Sequence, residues 1–322
     1  MTFLPMIEAF LLIPVLELMI KPDQKNYSEE EERALQSAFV FDFWIYVAAV
    51  LQVGVLVYFL VSITEPGLSI ADYIGRISAM GLMCGIYGIN IAHELGHRPE
   101  RYNHWVAKLL LLTSLYMHFF IEHNRGHHKN VSTPDDPATS RKHEIVYFFW
   151  VRSVMGSYLS AWRLEASRLA KKGFSFWSLR NEMIQYHIIQ LALLAAIYFA
   201  FGVFVLGAFV LSAVMGILLL ETVNYIEHYG LMRQQKETGV YERVLPRHSW
   251  NSDHLLGRML LFELSRHSDH HYLASRKYQI LRHMEESPQM PTGYPGMILL
   301  SLIPPVWFKV MHQRMPNENA IV

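Results

Sequence analysis

Four stretches of the sequence, roughly 41–63, 74–92, 186–204 and 205–226, are apolar over about the 20 residues that a helix needs to cross a bilayer. In hydrocarbon every backbone N–H and C=O must be satisfied within the chain, so runs of this length are expected to be helices. The segment 3–20 (FLPMIEAFLLIPVLELMI) is shorter and carries Glu8, Pro14 and Glu17, residues that can face protein rather than lipid. It is read as a fifth span. Charged residues make up 17% of the chain, below the roughly 25% of a soluble globule. The fold class expected is all-α: a polytopic membrane helical bundle with a cytoplasmic histidine-rich helical cap.

Charge placement orients the bundle. Lys and Arg concentrate in 21–40, 98–185 and 229–322, whereas the links near 64–71 and 200–206 contain neither. The positive-inside rule puts the basic segments in the cytoplasm, which leaves the N-terminus outside. The apolar stretch 105–121 then starts and ends on the same face, so it should be interfacial or re-entrant. Residues 1–322 read as a single membrane domain whose cytoplasmic cap is drawn from 93–185 and 227–322. Residues 28–36 (SEEEERALQ) read as a capped, solvated helix, and 294–310 is too broken by proline to span. The N-terminus lacks the basic and small-residue pattern of a cleaved signal.

Histidine is the outlier in composition, at 17 residues, against a single cysteine, Cys84. That excludes a disulfide framework, a thiolate zinc site and an iron–sulfur cluster, and the zero net charge gives no sign of nucleic-acid binding. IAHELGHRPE contains His93-Glu94-x-x-His97, a literal match to the zinc-protease signature. Three more clusters follow: His123, His127 and His128 in EHNRGHH; His228 in NYIEHYGL; and His267, His270 and His271 in RHSDHH. The topology argument places all nine on one membrane face. One HExxH could be chance packing, but nine imidazoles at one depth are costly to pack without metal.

A catalytic zinc takes three protein ligands and an open position, so nine histidines are too many for one zinc, and the other seven would be surplus to a protease. Thiolate-free imidazole donors suit iron as well as zinc, and two ions would share nine ligands. Glu94, Glu122 and Glu227 each adjoin a ligand histidine and Asp269 lies between two, as carboxylates that orient imidazole N–H groups would. Ordinary surface or capping roles are the alternative for each.

HELGHR, EHNRGHH with the following STPDDPATSR, NYIEHYGL and RHSDHH together resemble the bacterial integral-membrane alkane 1-monooxygenases, within the membrane fatty acid desaturase/hydroxylase superfamily. The resemblance extends to SWNSDH (249–254) and PTGYPG (291–296). It implies a non-haem di-iron centre, with O2 as co-substrate and all nine motif histidines as ligands, that hydroxylates the terminal methyl of n-alkanes. It also implies a multi-pass protein of the bacterial inner membrane with its active site at the cytoplasmic face. The remaining histidines match no ligand position, His254 being the least certain. Departures from the family pattern are Ser265 before Arg266, where glutamine is usual, and the lack of proline after the last histidine pair. Members commonly carry one more N-terminal span.

A hydrocarbon has no polar handle, so an apolar corridor must align it. Ala9 and Gly85 are candidate corridor residues; Ala9 falls where medium-chain members tend to have a bulky residue, so longer chains are expected. Close helix packing is the competing role for Gly81, Gly85 and Gly88. The chain has no nucleotide fingerprint and is expected to bind neither flavin nor haem, so electrons must come from outside. The resemblance implies rubredoxin and an NAD(P)H-dependent rubredoxin reductase. Arg163, Arg168, Lys171, Lys172 and Arg180 form a basic run that could dock such a carrier, or simply mark the cytoplasmic side. The rival readings are a di-iron desaturase or hydroxylase of fatty-acyl or aromatic methyl groups, a membrane zinc protease and a metal carrier.

Overall fold

The computed structural model describes residues 2–316. Helices dominate, and strand pairing among the described residues amounts to the isolated bridges Gln235–Tyr241 and Asn251–Gln289. Helix α1 (Glu29–Ser37) starts at a reciprocal cap: the Ser28 hydroxyl accepts from Glu31 N–H and the Glu31 carboxylate accepts from Ser28 N–H. The helices that follow are α2 (Phe39–Ser62), α3 (Ile70–Gly96), α4 (Arg101–Thr113), α5 (Val146–Lys171), α6 (Glu182–Phe201) and α7 (Val203–His228). Beyond them lie α8 (His267–Tyr272), α9 (Tyr294–Ser301) and α10 (Pro304–His312).

Of these, α2, α3, α6 and α7 are long and apolar enough to cross a membrane, and they match the four clear runs in the sequence. Only 11% of the apolar window of α6 is buried in the protein. A face so apolar and so uncovered fits lipid, not water. Gly202, at φ +85°, separates α6 from α7, a backbone conformation glycine adopts at little cost.

The 3–20 stretch differs from a simple span. It is helical in pieces of 4, 5 and 7 residues, Leu4–Ile7, a π turn Glu8–Leu12 and Ile13–Met19. At 1.5 Å per residue that is about 24 Å, short of a hydrocarbon core of about 30 Å. Glu17 faces protein, as its composition required, whereas Glu8 is exposed. The 105–121 stretch is likewise no straight span: α4 ends at Thr113, Leu115 turns with φ +52°, and a short helix resumes at Phe119–Glu122.

The chain divides into two compact units. One comprises the segment ending at Ile7, Phe39–Gly126 and Met155–Leu220. Its core packs Leu56, Phe59, Ile63, Met80, Ile197 and Phe209. Here α3 and α7 approach closely: a Cβ at Gly85 would meet Leu219 Cδ2 at 2.7 Å, and one at Gly216 would meet Cys84 Cβ at 2.5 Å. Within α3 the residues Cys84–Asn90 form a π turn, and the Ser114 hydroxyl donates to the Cys84 carbonyl at 3.2 Å.

The other unit comprises Glu8–Ala38, His127–Val154 and the chain from Glu221 onward. A buried guanidinium ties its loops together: Arg266 donates to the carbonyls of Leu281 at 2.7 Å, Asp23 at 3.0 Å and Lys25 at 3.1 Å, and pairs with Asp253. The Ser265 hydroxyl donates to the Ser252 carbonyl, so the serine noted in the sequence serves a local backbone bond. Glu17 accepts from Gly257 N–H at 2.7 Å, and a side chain at Gly293 would overlap its carboxylate.

Candidate metal centre

In the second unit α7 ends on His228, α8 presents His267, His270 and His271, and a short helix carries His127 and His128. His127, His228, His267 and His271 are all buried, and their ligand nitrogens lie within 4.8 Å of one another. The Nε2 atoms converge: His127 and His271 are 3.2 Å apart, as are His228 and His267. His128 and His270 form a further Nε2–Nε2 pair at 3.2 Å. In the first unit His93, His97 and His123 cluster in the same way. Their ring centroids are 4.5 to 5.1 Å apart, and His97 Nε2 is 3.1 Å from His123 Nε2.

These distances fit a bound ion. Metal–imidazole bonds of about 2.0–2.1 Å set neighbouring ligand nitrogens about 3.0–3.4 Å apart. Four buried imidazoles without thiolate form a donor set for iron or zinc.

The outer faces of the rings are also held. His127 Nδ1 is hydrogen-bonded to Asp136 Oδ2 at 3.0 Å, and Glu227 Oε1 lies 3.2 Å from His267 Nδ1 as a close ion-pair contact. A carboxylate on Nδ1 fixes the tautomer that leaves Nε2 free for metal. Glu227 also accepts from the Tyr294 hydroxyl at 2.9 Å. Burial pushes the Asp136 carboxyl up, but His127 and the Thr139 hydroxyl outweigh it and hold the group below the usual carboxylate range.

The other carboxylates singled out from sequence sit differently. Glu94 accepts from Arg98 at 3.0 Å, Glu122 accepts from Ser160 at 3.3 Å, and Asp269 is clasped by Arg282 at 2.8 Å. Asp136 and Tyr294 were not anticipated. Asp136 lies within the STPDDPATSR stretch, but nothing in its spacing distinguishes it from Asp135; Tyr294 lies in PTGYPG, far along the chain from Glu227. The His254 side chain bonds the Ser252 hydroxyl at 3.0 Å and that of His248 bonds Glu242 at 3.1 Å, and neither imidazole belongs to the four-histidine set.

Ala9 is 5% exposed and sits in the π turn Glu8–Leu12, while Gly85 is packed against α7 as described. In the basic run, Arg168 bonds Glu165 at 2.7 Å and Arg180 lies 4.0 Å over the Phe174 ring. Arg163, Lys171 and Lys172 are exposed.

Apolar helices of spanning length and buried all-histidine clusters that could hold metal are the marks of a multi-pass membrane protein with a candidate metal centre. Residues 71–301 match the family model described as fatty acid desaturase. The chain is 41% identical over 304 residues to an alkane 1-monooxygenase of Acinetobacter baylyi, covering 94% of this chain and 74% of that protein. It is also 41% identical over 300 residues to an alkane 1-monooxygenase of Ectopseudomonas oleovorans, covering 92% and 74%. A xylene/toluene monooxygenase hydroxylase component of Pseudomonas putida is 31% identical over 255 residues, covering 78% and 65%. The chain belongs to the fatty acid desaturase family, in its alkane 1-monooxygenase group.

Proposed function

We infer that the chain is a non-haem di-iron monooxygenase that converts n-alkanes to 1-alkanols, using O2 and two electrons from a rubredoxin-type carrier. The carrier in turn is reduced by an NAD(P)H-dependent reductase. The observation that carries this reading is the buried, thiolate-free set of four imidazoles, His127, His228, His267 and His271, in a chain so similar to alkane 1-monooxygenases. That set is assigned one ion, and all nine motif histidines are assigned as ligands of the pair. Iron bound there would supply the dioxygen chemistry needed for an unactivated C–H bond.

The chain's own residues do the positioning. Asp136 holds the His127 ring with Nε2 turned inward, and Glu227, anchored by Tyr294, lies beside His267 Nδ1. Burying each CH2 contributes roughly 0.8 kcal/mol, most of it already available in lipid, so the protein's task is alignment of one terminal methyl. Ala9 is assigned to that corridor, whereas the Leu219 side chain fills the space beside Gly85, which serves the close packing of α3 on α7. The exposed cations Arg163, Lys171 and Lys172, with Arg180, are assigned to carrier docking at the cytoplasmic face of a bacterial inner membrane.

The test is product analysis by gas chromatography and mass spectrometry. Membranes holding the protein would be supplied with rubredoxin, its reductase, NAD(P)H, n-alkanes graded in length and isotopically labelled dioxygen. A labelled 1-alkanol is expected. Similarity to the xylene/toluene component makes an aromatic methyl the second substrate class to include. A benzylic alcohol without any alkanol would move the assignment there, and an alkene would move it to desaturation.

A further inference from the structure

Outside the histidine sets, the first unit carries a run of aromatic rings in which oxidisable tyrosines and tryptophans are bridged by phenylalanine and histidine. From His123 the rings run outward in steps: Phe119 stacks on His123 at 4.7 Å, and Tyr116 stacks on Phe119 at 5.9 Å. Tyr116 meets the edge of His118 at 4.5 Å, His118 meets Tyr158 at 5.4 Å, and Tyr158 meets Trp162 at 6.5 Å. Trp162 continues to Phe176 at 5.5 Å and Phe176 to Trp177 at 4.9 Å. Trp177 is 80% exposed. The run therefore joins a motif histidine to the surface.

Its middle member has a proton acceptor fixed in place. Tyr158 Oη lies 2.9 Å from His187 Nε2, and His187 Nδ1 lies 2.6 Å from the Met183 carbonyl. A carbonyl can only accept, so Nδ1 carries the hydrogen and Nε2 is left to accept from the Tyr158 hydroxyl. Packing accounts for touching rings, but it does not call for a base on this particular phenol. A phenol that loses an electron becomes a strong acid, so its oxidation needs a base at hand. Electrons entering from a low-potential carrier do not oxidise tyrosine or tryptophan. The arrangement suits traffic in the opposite sense, with oxidising equivalents leaving the centre.

We propose that Tyr158 and His187 form a redox-active pair that discharges the metal centre when dioxygen has oxidised it with no substrate in place. One electron leaves Tyr158 and passes inward along His118, Tyr116 and Phe119 to the centre held at His123. The phenolic proton moves to His187 Nε2, which leaves a tyrosyl radical beside an imidazolium. One electron from Trp162 restores Tyr158, which recovers its proton from His187, and one electron from Trp177, passed across Phe176, then restores Trp162 and leaves the oxidation at Trp177. The tryptophan N–H proton is released to water and regained when a one-electron reductant, of the class that drives the main reaction, restores Trp177. The inference rests on the reading that His123 binds an iron that reacts with dioxygen.

The test uses iron-loaded protein, chemically reduced and exposed to dioxygen without alkane, with freeze-quench electron paramagnetic resonance and peptide mass spectrometry. A tyrosyl signal narrowed by ring-deuterated tyrosine is expected, with oxidation products at Trp162 and Trp177. Tyr158→Phe keeps the ring and should abolish the signal. It should also lower the tryptophan oxidation and make inactivation severalfold faster, while alkane hydroxylation with substrate present stays unchanged. His187→Gln should diminish the signal as well. Dioxygen consumed with no radical and no tryptophan oxidation, or a radical that survives Tyr158→Phe, overturns the pair alone. Iron-loaded protein that consumes no dioxygen sinks the underlying reading and this inference together.

Discussion

His127 Nδ1 lies 3.0 Å from Asp136 Oδ2, and the same oxygen accepts from the Thr139 hydroxyl at 2.6 Å. Asp136 Oδ1 accepts from Ala138 N–H, so the carboxylate is fixed at both ends before it reaches the imidazole. The turn 136–139 thus acts as a rigid bracket for one ring.

Asp136→Asn keeps the volume and removes the charge that holds the tautomer. Changes of this kind cost about 10–100-fold in metal affinity or activity. Iron retained after dialysis against a chelator should fall accordingly, with helicity by circular dichroism unchanged. Full iron retention would show that the bracket is not needed.

The glycines where α3 meets α7 should not be equivalent. A methyl at Gly85 meets the far end of the Leu219 side chain, which can swing aside, whereas one at Gly216 meets Cys84 Cβ and lies 3.1 Å from the Gly81 carbonyl oxygen. Gly216→Ala should therefore destabilise by about 1–3 kcal/mol, as overpacking does, and Gly85→Ala by less. Thermal unfolding in detergent reads the difference, and equal shifts would contradict it.

The basic run should split by partner. Lys171→Glu with Lys172→Glu should raise the apparent Km for the carrier, and turnover should fall with ionic strength because exposed charges are screened over about 10 Å at 0.1 M salt. Arg168 is already engaged by Glu165 and the Arg180 carbonyl, so Arg168→Gln should lower stability more than it alters carrier Km. Steady-state kinetics against carrier concentration, paired with melting curves, separates the two effects.

Ala9→Trp should shorten the range of alkanes accepted, with the longest lost first. The side chain is buried, so a uniform fall in activity across all lengths would report damaged packing and count against a corridor at this position. Activity on a graded alkane series decides.

Much of this molecule could be read from one dimension. The four spans followed from the length of their apolar runs, α1 from Ser28 and Glu31, and the broken course of 294–310 from its prolines, because each depends on neighbours in sequence. The nine histidines were legible for the same reason, being grouped in short motifs. Asp136, Tyr294 and the Tyr158–His187 pair were not, since each acquires its role from a partner that only folding brings near. The π turn at Cys84–Asn90 was equally hidden; the Cys84 carbonyl at its start accepts from the Ser114 hydroxyl, in the break after the next helix. The division of 3–20 into three helical pieces was not legible, because composition reports apolarity without reporting where a helix changes its winding.

The adjacent histidines 127 and 128, and likewise 270 and 271, face different partners: His127 meets His271, and His128 meets His270. Two dipeptides are thus cross-stitched, and no backbone adjustment can re-aim one nitrogen without disturbing its neighbour. On the two-ion reading, the first ion to arrive would preset the grip on the second. A metal titration would then trace one steep isotherm, with the singly loaded protein a scarce species and an enzyme starved of iron divided between full and empty molecules.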